Sequence, residues 1–483
     1  MKIQPHSNQI QIMHHFPIIA AALLLLLSAT PAAMAQPIVN ANWVGDANGD
    51  GIWGDPTAWA SGQVPNNGNG GNNYNVTIQR NPNGLGFNGP VLTLDITINN
   101  LTLVDRALVN GGIAGGLAGP GFSLTVLGST SFTVATPGQG TGLIQSANAT
   151  DTLGTLTNYD AATQTLMSGG FGAFSGDVTR PSVVQWHGAD IVTNNGLIFF
   201  NGVNTSLRNQ DNGADALANF ATNNGQLDLL NGHVTSTAGN FVNNGVVVIS
   251  GDPGMPTAVL RVNGNFANNG PAFLNSGGQI AVTGNVTNSG TIDLGDFGGD
   301  TLHRVTAARL DMTLGSVLTG SGSVSGNVFT QGRVEPGHAP GAGAITIQGG
   351  FTLQSTAALA IEIGGLTAGM QFDQVLQLGG AGTVLGGTLE LSFINNFDIS
   401  ITSANTFQIL ISDQTLSGTF SNVASGGRLL TTDGLGSFIV SYNGSSVILS
   451  NFQAVPEPST FVMLLGGLGV LFCLQRPRSR FPR

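Results

Sequence analysis

Lysine is all but missing from this chain, and so is cysteine: Lys2 and Cys473 are the only ones among 483 residues. Without lysine there is no amine base or Schiff-base nucleophile. Without a pair of cysteines there is no disulfide, and a lone thiol near the C-terminus leaves the body without thiolate chemistry. Charge of any kind is scarce, at 8% of residues. Between residues 36 and 454 nine arginines face twenty-four acidic residues, a net charge near −15, which excludes nucleic acid as a partner. Helix-period apolar stripes are absent from the body, so a helical bundle is excluded as well. Glycine (72) and proline (20) make up about 19% of the chain, below the level of low-complexity disorder, and 41% of residues are hydrophobic. The chain therefore folds, and packing with backbone hydrogen bonds must hold it together.

What is there is repetition. The string Gly-Asn-(Phe or Val)-x-(Asn or Thr)-x-Gly occurs at Gly239, Gly264, Gly284 and Gly326, with looser copies at Asn219 and Val192. The four starts are 25, 20 and 42 residues apart, one or two turns of a unit of about 20 to 25 residues. Each copy leads into a short strand-like run, such as Val246–Ile249 or Ile292–Leu294. A unit this short cannot close a core alone. Stacked on its neighbours it buries alternate apolar residues inside a coil and pairs its backbone above and below, as in a parallel β-solenoid. Asparagine suits the corners, because its amide can bond to the same amide one rung away. With rungs ~4.8 Å apart, residues 190–332 predict six or seven coils and a rod segment of roughly 30 Å. A β-sandwich array is the competing architecture.

Both ends carry export chemistry. The apolar run Ile18–Leu27 follows Lys2, and Ala33 and Ala35 occupy the minus-three and minus-one positions of a signal-peptidase site that starts the mature chain at Gln36. At the other end, Pro456 and Pro458 precede an uncharged run from Phe461 to Leu474, and Arg476, Arg478, Arg480 and Arg483 follow it. Those fourteen residues span about 21 Å as a helix, short of a ~30 Å hydrocarbon core. The arginines place the C-terminus on the cytoplasmic side and the body outside. This reads as a temporary transmembrane helix.

The residues Val455, Pro456, Glu457, Pro458, Ser459 and Thr460, with the short helix and terminal arginines, resemble the PEP-CTERM sorting tail of Gram-negative bacteria. That resemblance implies recognition and cleavage by an exosortase and delivery to the outer membrane, cell surface or extracellular matrix, often in bacteria that make exopolysaccharide. The tryptophan-rich segment around Trp43, Trp53 and Trp59 looks like the entry segment of autotransporter-like solenoid proteins, where large aromatics cover the first rung. An aromatic sugar platform is its alternative. Residues 333–453 resemble the C-terminal module of the same exported proteins, with a PG-x-x-PG turn at Pro336–Gly341 and an FD pair at Phe372–Asp373.

The expected architecture is all-β: a parallel β-helix with an N-terminal Trp-rich cap and a C-terminal β cap, flanked by a signal peptide and a membrane-sorting helix. The expected segments are a signal peptide over 1–35, the cap and first rungs over 36–120, the solenoid over 121–332, the C-terminal module over 333–453 and the tail over 454–483.

Candidate sites are few. Asp46, Asn48, Asp50 and Gly51 match the opening of a calcium loop, yet Thr57 stands where the bidentate glutamate belongs; Asp55 is the substitute ligand, and a plain turn is the other reading. His187 and Asp190 lie close in sequence with no serine nucleophile opposite them. The densest ionisable cluster is Asp293, Asp296, Asp300, His303 and Arg304, read as a surface turn or, alternatively, as an active site or metal site. Glu362, Asp373 and Glu390 read as outward charges on alternating strands. Two functions follow. One is a structural or adhesive protein of the surface or biofilm matrix, with exosortase, signal peptidase and exopolysaccharide as partners and no cofactor beyond calcium. The other is a carbohydrate-active solenoid enzyme, a polysaccharide lyase or hydrolase.

Overall fold

In a computed structural model, the described residues are 35–45, 51–79, 89–105, 107–110, 121–135, 142–175, 179–252, 254–295, 303–455 and 465–471. The chain winds as a parallel β-helix in which each turn lays one short strand on each of three faces. One face is a single twelve-stranded sheet running from strand Leu108–Asn110 to strand Thr388–Phe393, every neighbouring pair parallel. The other two faces begin as five-stranded sheets and continue as two ladders, joined by the long strands Arg304–Met312 and Gly322–Thr330.

Alternation decides what lies inside. Ile198, Leu227, Val247, Ala272, Ile292 and Leu318 stand in register on consecutive rungs, and each is fully buried. Each such side chain contributes roughly 1.5–3 kcal/mol on leaving water, alanine less. At the corner facing them Phe220, Phe241 and Phe266 form a column with centroids 5.1 and 5.7 Å apart. Six strands of the twelve-stranded sheet lie between residues 190 and 332, which matches the coil number expected there.

The 42-residue gap between the motif copies at Gly284 and Gly326 is two turns: Asn285 pairs with Arg309, and Arg309 with Asn327. The turn between them lacks the motif, and Met312 occupies the place of Asn288. Parallel pairing also runs straight across residue 333, since Val317 pairs with Arg333 and Arg333 with Ala358. The stack therefore extends to strand Leu416–Gly418, and beyond it the strands Gly427–Leu430, Gly436–Asn443 and Ser446–Ala454 turn antiparallel, as the short hairpin of Tyr159–Asp160 and Thr165–Leu166 does earlier in the chain.

Both ends are closed. At the first rung Trp53 and Trp59 are buried, with centroids 4.8 Å apart, and Trp43 meets Trp59 edge-on at 5.0 Å. Both buried indoles donate to backbone carbonyls, Trp53 Nε1 to Pro65 O at 3.0 Å and Trp59 Nε1 to Trp53 O at 2.9 Å. Trp53 and Trp59, used this way, cover the first rung of the rod, as a cap requires. At the far end, strand Thr388–Phe393 is the edge of the twelve-stranded sheet, and its outward groups are taken one by one. The Asn422 amide accepts from Leu389 N at 3.1 Å and donates to Leu389 O at 2.8 Å, so a side chain imitates a pairing strand. Thr432 N donates to Leu391 O at 2.7 Å, and Asp433 accepts from Phe393 N at 2.7 Å. An open edge templates aggregation. Asn422→Ala is expected to cost about 1 kcal/mol and to raise the aggregation rate; denaturant unfolding followed by light scattering measures both, and two unchanged values would remove the edge-guard role.

Candidate functional site

Each position of the repeated motif has a contact with the next rung. Its first glycine makes room for an asparagine: a Cβ at Gly264 would sit 2.6 Å from Asn240 Oδ1, and one at Gly284 2.4 Å from Asn265 Oδ1. The asparagine that follows uses that oxygen to accept the next rung's backbone, Asn265 N on Asn240 at 2.8 Å and Asn285 N on Asn265 at 2.9 Å. Phenylalanine or valine comes third and joins the apolar column. The fifth residue builds a buried ladder in which Nδ2 of Asn194, Asn223, Asn243 and Asn268 donates in turn to Oδ1 of the next, ending on Asn288, at 2.8–2.9 Å. All five residues are fully buried. The sixth builds a second, exposed ladder of opposite direction through Asn195, Asn224, Asn244, Asn269 and Ser289, every step 2.8 Å. The closing glycine allows backbone to touch backbone, since a Cβ at Gly225, Gly245 or Gly270 would meet the preceding glycine's carbonyl oxygen at 2.0 Å. Met312 carries no amide, so the buried ladder stops at Asn288, whose Nδ2 keeps only the bond to the next rung's carbonyl, Val317 O at 3.2 Å, that the other ladder asparagines also make.

The ionisable residues gather elsewhere, around the PG-x-x-PG turn. Gly320 and Gly337 exchange backbone hydrogen bonds of 2.9 and 2.8 Å, which lays the turn against the preceding rung. Three carboxyl groups from different rungs then hold it. Asp293 Oδ2 lies 3.0 Å from His338 Nε2, Glu362 accepts from Gly341 N at 3.0 Å, and Asp373 accepts from Gly343 N and Glu362 N, both at 2.7 Å. The FD pair thus supplies the clasp of the PG turn, a link between two motifs thirty residues apart.

Several expectations are corrected here. Glu362 and Asp373 are not outward charges: Asp373 is fully buried and Glu362 nearly so, because the loop folds over them. Burial pushes the Asp373 carboxyl up to about 8, against its two backbone donors and helped by the nearby Glu362 and Glu335. Burial likewise raises Glu362. Only Glu390 faces out, pairing with Arg333 at 2.5 Å while Arg333 also reaches Glu335 at 3.1 Å. Asp293 and His303 are also buried, not part of a surface turn; the His303 ring contacts the Leu294 carbonyl. Asp296 and Asp300 lie outside the described residues.

His187 and Asp190 do not pair. His187 Nδ1 lies 2.5 Å from Asp211, an exposed pair, while Asp190 accepts from Gln164 and Asn219. Asp46, Asn48 and Asp50 lie outside the described residues, and Asp55 is already in use, capping residues 56–58 by accepting Thr57 N at 2.8 Å. Among the described residues no group of three or more His, Cys, Asp or Glu could hold a metal ion. A glycoside-cleaving pair needs two carboxyls flanking an open groove. Here Glu362 and Asp373 are committed to the backbone of their own loop.

The sorting segment leaves the body cleanly. Strand Ser446–Ala454 ends the fold, Val455 is 40% exposed with its N–H on Leu435 O at 3.0 Å, and Pro456, Glu457, Pro458, Ser459 and Thr460 lie outside the described residues. Residues 465–471 are helical, and Leu465, Leu468, Val470 and Leu471 are all exposed, so this apolar turn has no seat on the rod. Among the described residues no helix is long and apolar enough to cross a membrane, so the expected transmembrane helix finds no support there; the rest of the run Phe461–Leu474 lies outside them. At the N-terminal signal, Ala35 and Gln36 are exposed and irregular just before strand Ile38–Asn42, and Ala33 lies outside the description.

Residues 454–478 match the PEP-CTERM protein-sorting motif. That motif marks an exported protein processed by an exosortase and associated with the cell surface of Gram-negative bacteria. No curated protein and no solved structure matches the chain.

Proposed function

We propose that this protein is a non-enzymatic structural or adhesive rod of the bacterial surface, freed of its signal peptide by signal peptidase and of its tail by the exosortase, and held in or released to an exopolysaccharide or biofilm matrix. The observation that supports this reading is the use of the repeat. Its asparagines, glycines and aromatics are consumed by contacts between rungs, and the buried carboxyls clasp the protein's own loop. A solenoid maintained this way is a spacer with a regular surface, suited to a matrix where neither disulfides nor metals are needed for strength. No cofactor belongs to this reading, and calcium at Asp46, Asn48 and Asp50 would be an addition to it.

Two measurements test the proposal. Mass spectrometry of the surface-fraction protein is expected to find a C-terminus within or just after Val455–Thr460; an intact Arg483 in that fraction would overturn the release step. Incubation of the purified protein with acidic and neutral polysaccharides is expected to give co-sedimentation and no new chain ends. Release of reducing or unsaturated ends, lost in Asp293→Ala, would replace the structural reading with an enzyme.

A further inference from the structure

The outward row of the twelve-stranded sheet differs from the outer surfaces of the other faces. On six consecutive rungs, starting at Leu143, Gly170, Leu197, Gln226, Val246 and Pro271, the residues pointing away from the core are mainly apolar. Phe174, Leu197, Phe199, Val248 and Phe273 are all half-buried, while their inward neighbours Ala173, Ile198, Phe200, Val247 and Ala272 are buried. One formal charge stands among these outward residues, Asp228, which lies in register between Phe199 and Val248 and accepts both hydrogen bonds of Gln226. These apolar neighbours raise its carboxyl, chiefly by burial. Arginines, by contrast, sit on the ladders of the other faces, at Arg208, Arg261, Arg304 and Arg309. Along the twelve-stranded sheet itself, charge returns only from the next rungs, at Asp293 and then Arg333 and Glu335.

We infer that two copies of this protein associate face to face through this apolar outer surface, with Phe199, Val248 and Phe273 at its centre. Sparse charge and apolar side chains together select the face. A body of net charge near −15 repels its own copy least where charge is sparse. The row Thr193, Thr222, Val242, Ala267 and Thr287 on another face also lacks charge, but its side chains are small or polar, whereas the twelve-stranded sheet adds the outward Leu197, Phe199 and Phe273. Six rungs at ~4.8 Å and strands of about five residues give a footprint of about 24 by 17 Å, on the order of 400 Å² per copy. That size belongs to weak, reversible contacts rather than to permanent dimers. Two twisted sheets meeting in this way would cross at about 30°, with the phenylalanines of one copy between those of the other. The inference goes beyond the proposed surface role and does not depend on how the tail is processed.

Sedimentation velocity of the exported protein, from about 1 µM to about 1 mM, tests it. The expected result is a concentration-dependent monomer–dimer equilibrium, weakened at least tenfold in the double variant Phe199→Asp, Phe273→Asp, and tightened in Asp228→Asn. The body lacks cysteine, so Val248→Cys gives a second readout that does not require an added charge to be tolerated: oxidation should yield a disulfide-linked dimer, and Thr287→Cys on another face should not. A protein that stays monomeric throughout the range, or Val248→Cys and Thr287→Cys that crosslink equally, overturns the inference.

Discussion

Asn243→Leu is expected to lower the stability of the rod by about 3 to 5 kcal/mol, a large share of what holds any domain together. The side chain is fully buried in the middle of the amide ladder. Its Oδ1 accepts from Asn223 at 2.9 Å, and its Nδ2 donates to Asn268 Oδ1 at 2.9 Å and to Pro271 O at 3.3 Å. Leucine has the same branched heavy-atom skeleton, is somewhat larger, and leaves no cavity. It leaves Asn268 Oδ1 and Pro271 O without this donor, and each buried group deprived of its partner costs about 1–3 kcal/mol. Asn223 is hurt less, because its amide keeps Val246 O at 2.9 Å.

Asn243→Asp keeps the shape and is expected to be worse near neutral pH. It turns a donor into a second acceptor opposite Asn268 Oδ1 and buries a charge with no counter-ion, a situation that costs about 3–5 kcal/mol or more. Acidification should recover much of the loss, because the protonated acid donates again. Asn244→Asp makes the same chemical change one residue along, in the exposed ladder, where water solvates the charge, and its cost should stay below about 1 kcal/mol. Urea unfolding of the three variants at two pH values reads all of this. Equal losses at positions 243 and 244 would deny the buried ladder its structural weight.

The ladder was legible in the sequence because a strictly local rule produced it. Asparagine and glycine at fixed spacing can only repeat if each meets its own copy one rung away, so repetition alone carried the solenoid, the corner chemistry and the coil number. Register within the 42-residue gap was also readable, as two turns, though the absence of a motif in the intervening turn hid that Met312 ends the ladder. What stayed hidden depends on contacts between distant segments. His187 is three residues from Asp190 in sequence, yet the width of that coil brings Asp211 to it instead. Glu362 and Asp373 alternate along the chain like surface charges, and nothing near them says that the turn at Pro336–Gly341 folds back to cover them. The edge guard at Asn422 and Asp433 carries no spacing signal, since any loop that returns to the last strand can provide it. The apolar outer face was equally invisible: an alternating strand gives two faces, and periodicity alone does not reveal that the outward one is apolar as well.

The protein should lose stability as the pH rises from about 6.5 to 8.5, by about 2 to 3 kcal/mol, the reverse of ordinary acid denaturation. Two carboxyls set this direction. Burial raises Asp373 to about 8 and Asp151 to about 7, from an ordinary value of 3.8. Asp151 accepts Leu124 N at 2.8 Å and is fully buried. Between the ordinary value and the raised one, the folded chain binds more protons than the unfolded chain, so stability falls with rising pH and levels off above the folded values. His233 acts in the opposite sense, since burial holds it down to about 4 from 6.5; its contribution is lost on acidification through its unfolded value, and only about 0.4 kcal/mol of it is still to be gained above pH 6.5.

Asp373→Asn separates the clasp from the rest. The aspartate presents one acceptor to Gly343 N and another to Glu362 N, both at 2.7 Å. At pH 6.5 the acid is mostly protonated, but its hydroxyl oxygen can still accept a hydrogen bond, whereas an amide NH₂ cannot, so in the variant one of these N–H groups loses its acceptor. Asp373→Asn is therefore expected to be less stable than the parent at pH 6.5, by about 2 kcal/mol, and to lose most of the slope between pH 6.5 and 8.5. Thermal unfolding across the pH series measures both numbers. A variant that keeps the parent's slope would assign the titration to Asp151, and one that also keeps its stability at pH 6.5 would show that the PG turn is not held by this carboxyl.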